Sequence, residues 1–222
     1  VQAGAGASVA LSGFAADSVR AASAQRFYTR QGAEIVPLPG TLKEVEAIGS
    51  LFDAQGATVY VATHAEASEA QVKRMPLSNY RFVHFATHGL VNEAQPKLSC
   101  LLLAQDGARE DNVLYSAEVY NLRLNADMVA LSACETGLGR VVQGEGLIGL
   151  TRGFLYAGAR SVLVSLWTVA DESTAQLMIG TYKHMLANAP RTQALREAKQ
   201  EMIAGGRFAA PYYWSAFILV GQ

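Results

Sequence analysis

Two short stretches carry the residue types that could do chemistry. Phe85-Ala86-Thr87-His88-Gly89 ends in a histidine followed by a glycine, and Leu131-Ser132-Ala133-Cys134-Glu135-Thr136-Gly137 breaks from an apolar run into a cysteine, an acid and a glycine turn. A free cysteine is most often a small buried hydrophobe. Cys134 differs because it falls just past the end of an apolar strand. A thiol attacks as thiolate, and with an ordinary pKa of about 8.5 only a few per cent is ionised at neutral pH. A histidine within reach raises that fraction, or takes the proton during attack and later protonates the leaving amine. Gly89, lacking Cβ, lets a backbone N–H approach a substrate carbonyl as one half of an oxyanion hole; the Cys134 N–H supplies the other half. His88 and Cys134 thus form a candidate dyad for acyl transfer.

The elements that must position them follow from periodicity. Residues 128–132 are apolar almost throughout, as a strand requires when its sheet is covered on both faces. In such open sheets ligands gather beyond the carboxyl ends of the strands. Residues 80–87 read as a second strand that delivers His88 to the same rim. Further strands are expected at 8–14, 58–62, 98–103, 161–167 and 214–220. Helices are expected at 17–30, 41–54, 68–74, 116–122, 145–157, 172–187 and 191–204. Thr41 with Glu44 three residues on is a capping-box signature for the second of these. The helix at 145–157 is apolar or small almost all round, so Arg152 within it should find an acid, Glu145 or Glu135. Strands and helices alternate without a shift of composition. The expected fold is one α/β domain over 1–222, a three-layer sandwich with a mainly parallel central sheet and helices on both faces.

Five stretches together resemble the CHAT family of caspase-like proteins, which is related to caspases and separases. They are the two above, Gly144-Glu145-Gly146, Phe154-Leu155-Tyr156-Ala157-Gly158-Ala159 and Leu166-Trp167-Thr168-Val169-Ala170-Asp171-Glu172-Ser173-Thr174. The likeness extends to Leu38-Pro39-Gly40-Thr41 with Glu44-Val45, and to Tyr213-Trp214-Ser215-Ala216-Phe217, covering 37–221. It implies a cysteine endopeptidase acting on a protein or peptide substrate, with His88 and Cys134 as the dyad. It also implies an upstream repeat or sensor region, because such domains usually follow tetratricopeptide-type repeats; no such 34-residue period occurs here. The stretch ending in Asp171 is similar to one in separases whose aspartate lines the pocket for a P1 arginine, which makes Asp171 a candidate substrate-binding residue. Its place just ahead of Glu172-Ser173-Thr174 equally suits an N-cap. A caspase-like fold can also persist as a catalytically silent binding scaffold, the competing expectation.

Bulk properties agree with this picture. In 222 residues, 50% hydrophobic and 17% charged content belong to a well-buried globular chain. A net charge of −1 and the lack of a basic cluster argue against nucleic acid as a partner, and no apolar run is long enough to span a bilayer. Two cysteines make no disulfide framework, and a nucleophilic thiol needs a reducing compartment, so a cytoplasmic location is expected. The chain opens Val-Gln-Ala-Gly-Ala-Gly-Ala without signal-peptide features and reads as a fragment of a longer protein.

Three rival constellations are weaker. Gly144-Glu145-Gly146-Leu147-Ile148-Gly149 fits a dinucleotide fingerprint, with Asp171 downstream, but begins about ten residues after its strand instead of directly. His84 and His88 are four apart, yet lie on a strand with Phe85 where a zinc protease needs Glu, and no third ligand is evident. Cys100 sits inside a leucine-rich strand with no glycine turn, so burial is expected. His84 reads as a core or supporting histidine, and Glu135 as a loop anchor. No metal or organic cofactor is required.

Overall fold

Strands covered on both faces need apolar side chains at successive positions, and the central strands supply them. The computed structural model describes residues 8–12, 38–92, 95–104, 110–132, 134–135 and 145–222. In chain order these form β1 (Ser8–Ser12), α1 (Pro39–Asp53), β2 (Val59–Thr63), α2 (Glu69–Arg74), β3 (Phe82–Ala86) and β4 (His88–Leu90). Then come β5 (Cys100–Leu102), β6 (Val113–Tyr115), α3 (Ser116–Val119), β7 (Met128–Leu131) and β8 (Cys134–Glu135). The chain closes with α4 (Glu145–Tyr156), β9 (Ser161–Ser165), α5 (Asp171–Leu186), α6 (Arg191–Ala204) and β10 (Phe217–Gly221). The helix expected at 17–30 lies outside the described residues.

Six strands make the large sheet in the order β10-β9-β7-β3-β1-β2, parallel except for β10, which runs antiparallel to β9. Its two faces follow the alternation of residues along each strand. Val83, Phe85, Val129, Leu131, Val162 and Val164 pack toward Leu150 and Phe154 of α4; Phe85 and Phe154 meet with ring centroids 5.6 Å apart. Met128, Ala130 and Leu163 pack the other way, with Phe52 of α1, Leu177 and Tyr182 of α5, and Met202 of α6. The three-layer sandwich is therefore present. At the amino ends of β3, β7 and β9, Asp127 accepts from Arg81 Nε at 2.6 Å and Arg160 Nη1 at 3.1 Å. One carboxylate thus ties three strand starts together.

The second sheet was not legible as a separate body. It has four short strands, β6-β5-β4-β8, with β4 parallel to β8 and the other pairs antiparallel. The stretch read as one strand from 80 into His88 divides at Thr87, which is buried and donates its hydroxyl hydrogen bond to the carbonyl of Leu102 on β5. Residues 98–103, expected in the central sheet, centre on β5 of the small one. Helix α1 also departs from expectation at its start. It begins at Pro39 with Leu38 as N-cap, Thr41 Oγ1 donates back to Leu38 O at 2.7 Å, and Glu44 turns inward instead of closing a capping box. Proline fits the first helical turn, where its missing N–H costs nothing. None of the described helices is long and apolar enough to cross a membrane.

Helix α4 ends in a Schellman turn, with Ala159 N bonded to Phe154 O and Gly158 N to Leu155 O at 3.0 and 3.1 Å. Gly158 has φ +113°, and a Cβ there would lie 2.2 Å from the Leu124 carbonyl oxygen. Gly206 has φ +79° with open space around it. Gly206→Ala should cost only the left-handed strain, about 1–2 kcal/mol. Gly158→Ala must also displace Leu124 and should cost about 3 kcal/mol. Urea unfolding of the two variants beside the parent checks the ranking; equal losses would contradict the Leu124 contact.

Candidate functional site

β3 and β7 lie side by side, with Phe85 facing Leu131. Ser132 N extends the ladder by donating to Phe85 O at 2.9 Å. Both chains then leave the large sheet at its carboxyl edge and pair again as β4 and β8. There His88 faces Cys134, and Gly89 faces Glu135. The offset between partners is 46 residues before and after the crossing (131 − 85 and 134 − 88). The register therefore passes from one sheet to the other without a slip. The backbones of His88 and Cys134 are one strand spacing apart, about 4.8 Å. His88 is buried, 1% exposed, on the central strand of the three β5-β4-β8. The side chains of Cys134 and Glu135, including the anchoring role expected of Glu135, lie outside the described residues, as do residues 136–144.

Asp171 is not the N-cap of α5. The N-cap is Ala170, and Asp171 is the first helical residue. Its Oδ2 accepts a hydrogen bond from Gly40 N, so it caps α1 across 131 residues of sequence. A Cβ on residue 40 would lie 2.6–2.9 Å from the carboxylate, so glycine permits the approach. Burial pushes the Asp171 carboxyl above its ordinary range; the Gly40 N–H opposes this, while Glu44 and Glu172 add to it. Both helix starts lie toward the carboxyl ends of the parallel strands, the rim that His88 and Cys134 approach.

His84 is committed elsewhere. Its Nε2 lies 2.7 Å from Glu44 Oε1 and its Nδ1 3.2 Å from Tyr182 Oη, all three side chains at most 1% exposed. Burial, with Glu44 adding, pushes the Tyr182 phenol well above its usual range. This network links α1, β3 and α5, which fits the supporting role read from sequence and leaves no His84/His88 metal pair, since the two occupy different sheets. The inward turn of Glu44 was missed. Its signal was position: 44, 48 and 52 lie on one helical face, and the other two are Ile and Phe.

The remaining candidates resolve by burial and charge. Cys100 is fully buried, and burial chiefly, with Asp111 adding and a Leu90 backbone hydrogen bond opposing, pushes its thiol up to about 12. Among the described residues, Glu69, Glu110 and Glu118 bring carboxylate oxygens within 4.8 Å of one another. Lys73 Nζ already lies 2.6, 2.7 and 2.7 Å from them, filling the place a cation would take. Burial still pushes Glu69 up to about 6 against the pull of Lys73. Arg152, expected to pair within a buried helix, is exposed. Helix α4 keeps one face open, with Ile148 40% and Tyr156 75% exposed.

With this geometry in hand, comparison is decisive at the level of family. Residues 6–222 match the CHAT domain. The chain belongs to the CHAT family. CHAT domains are related to caspase-like peptidases, and the sandwich described above is consistent with that fold. This CHAT domain is similar to tetratricopeptide repeat protein 28 of Mus musculus, 28% identical over 223 aligned positions, covering 84% of this chain and 9% of the relative. The same protein of Homo sapiens is 29% identical over 218 positions, covering 84% and 8%. The chain thus spans under a tenth of the curated relatives it matches.

For Cys100 the expectation is direct. With burial pushing its pKa up to about 12, very little of it is thiolate at pH 8, and its side chain is fully buried in the native fold. Iodoacetamide at pH 8 should leave Cys100 unmodified in native protein and alkylate it after denaturation, as read by peptide mass spectrometry. Rapid native labelling at Cys100 would contradict its burial.

Proposed function

We propose that this CHAT domain is a cysteine endopeptidase acting on a protein substrate, with Cys134 as nucleophile and His88 as proton carrier. The observation that carries the proposal is the in-register pairing of His88 with Cys134. The Cys134 thiol loses its proton to His88 as sulfur adds to the scissile carbonyl carbon. The Gly89 and Cys134 amides are the proposed donors to the resulting oxyanion. Collapse expels the amine, which takes the proton from His88, and water then hydrolyses the thioester with His88 again as base. The chain from 1 to 222 is proposed to act as one domain of a longer, cytoplasmic protein. The relatives' name supports tetratricopeptide repeats as the companion region. A second reading is a protein-binding scaffold with a silent site.

Within the peptidase reading, Asp171 is proposed to favour a basic P1 residue. Its support is a half-buried carboxylate at the carboxyl rim, held in place by Gly40 N.

The two readings separate on an electrophilic peptide ketone probe and a fluorogenic peptide library. Cys134→Ala should abolish both labelling and cleavage while leaving the circular dichroism spectrum unchanged. His88→Ala should lower the cleavage rate at least about a hundredfold. If either variant cleaves as an active parent does, the dyad is wrong; if the parent itself is neither labelled nor able to cleave, the scaffold reading stands.

Asp171→Asn separates specificity from capping, because the amide oxygen still accepts from Gly40 N while the charge is gone. Preference for Arg or Lys at P1 should vanish with the melting temperature nearly unchanged. Unaltered P1 preference in this variant would remove Asp171 from the substrate site.

A further inference from the structure

Helix α4 shows solvent a mixed face. Ile148, Arg152 and Tyr156 are spaced four apart, so they form one stripe about 12 Å long. All three are exposed, Tyr156 by 75%. A cleft of about 410 Å³ opens beside this stripe, between α4, the first residues of α3 and the turn Pro96–Leu98. Ile148 and Tyr120 supply its apolar wall, and Tyr120 continues the apolar surface to Tyr156 with ring centroids 5.3 Å apart. Lys97 and Arg152 stand at the same cleft, and among the described residues no carboxylate lines it. Among the described residues, Tyr120, Ile148 and Tyr156 are three of the seven large apolar side chains that are exposed. Such concentration on one face marks an interaction surface, whereas single exposed residues carry no such meaning.

We propose that this face docks an acidic segment of a partner protein, one that places an aromatic or large aliphatic side chain beside one or two carboxylates. The charge decides the chemistry of the occupant. Two cations, with no acid among the described lining residues, favour an anionic ligand, and the Arg152 guanidinium suits a carboxylate fork. The apolar wall of Tyr120 and Ile148 takes the hydrophobic anchor, the arrangement found at the centre of tight interfaces. The length of the stripe fits a peptide segment better than a compact small molecule, whose contacts would end within the cleft. A second copy of the chain is disfavoured, since a two-fold contact through this patch would set cations against cations. This docking does not depend on the Cys134 chemistry, so the face serves the domain whether it cuts its partner or only holds it.

The test uses the whole chain and short fluorescein-labelled synthetic peptides. One carries Asp and Glu flanking Phe; a second has Asn and Gln in their place; a third keeps the acids and replaces Phe by Ser. Fluorescence anisotropy should show saturable binding of the first and at least about tenfold weaker binding of the other two. Arg152→Glu and Ile148→Asp should each weaken the first peptide by about tenfold or more, with unchanged melting temperature, because both residues are exposed. Arg196→Glu, on the exposed side of α6, should leave it unaltered. The proposal is overturned if no peptide binds saturably, if all three bind alike, or if Arg152→Glu binds like the parent. It is equally overturned if sedimentation shows a dimer that Ile148→Asp dissolves, which would make this face a contact between copies.

Discussion

The parallel pairing of β3 with β7 is the constraint on which the rest depends. His88 and Cys134 are carried to the rim by those two strands, and the residues that leave them keep the same register in the small sheet. A parallel ladder tolerates no gradual error, because a shift by one residue exchanges the two faces of a strand. Here such a slip would take Val129 and Leu131 from the α4 side and send them toward α5, where Met128 and Ala130 now fit. The packing of both layers therefore enforces the meeting of 88 with 134. Asp127 reinforces it from the opposite end, by binding the arginines that begin β3 and β9.

Behind the rim, polar groups do the fastening that apolar contacts cannot direct. Glu44, His84 and Tyr182 join α1, the central strand and α5 inside an otherwise apolar layer. Buried polar groups are tolerable only when hydrogen-bonded, and their directional bonds fix one relative placement of the elements that carry them. Asp171 adds a clasp between the starts of α1 and α5. The same two helices thus meet twice through polar groups, once deep in the layer and once at its edge.

Much of this was legible in the residues. The strands 128–132 and 161–167 announced themselves by unbroken apolar runs, and α4, α5 and α6 by length and periodicity, with ends within one residue of those found. The His-Gly and Ala-Cys-Glu stretches stood out because each broke an apolar pattern at a strand end. The small sheet was not. Alternation tells which way a side chain points, and says nothing about which sheet a strand joins, so Thr87 passed as one more extended residue. β6, three residues long, is too short to leave a periodic signal. The local capping readings of Glu44 and Asp171 failed for a related reason. Local capping rules see only neighbours in sequence, whereas the partners of these two acids are 40 and 131 residues away.

The division at Thr87 has a mechanical meaning. His88 and Cys134 both belong to the small sheet, while Asp171 is held by α1 on the large one. A tilt of the small sheet as a body would move both residues together and keep their mutual spacing. What would change is their distance from the carboxylate at the rim. Force or binding energy arriving at β5, β6 or α3 therefore has a route to alter how a bound chain is presented without taking apart the pair that would act on it.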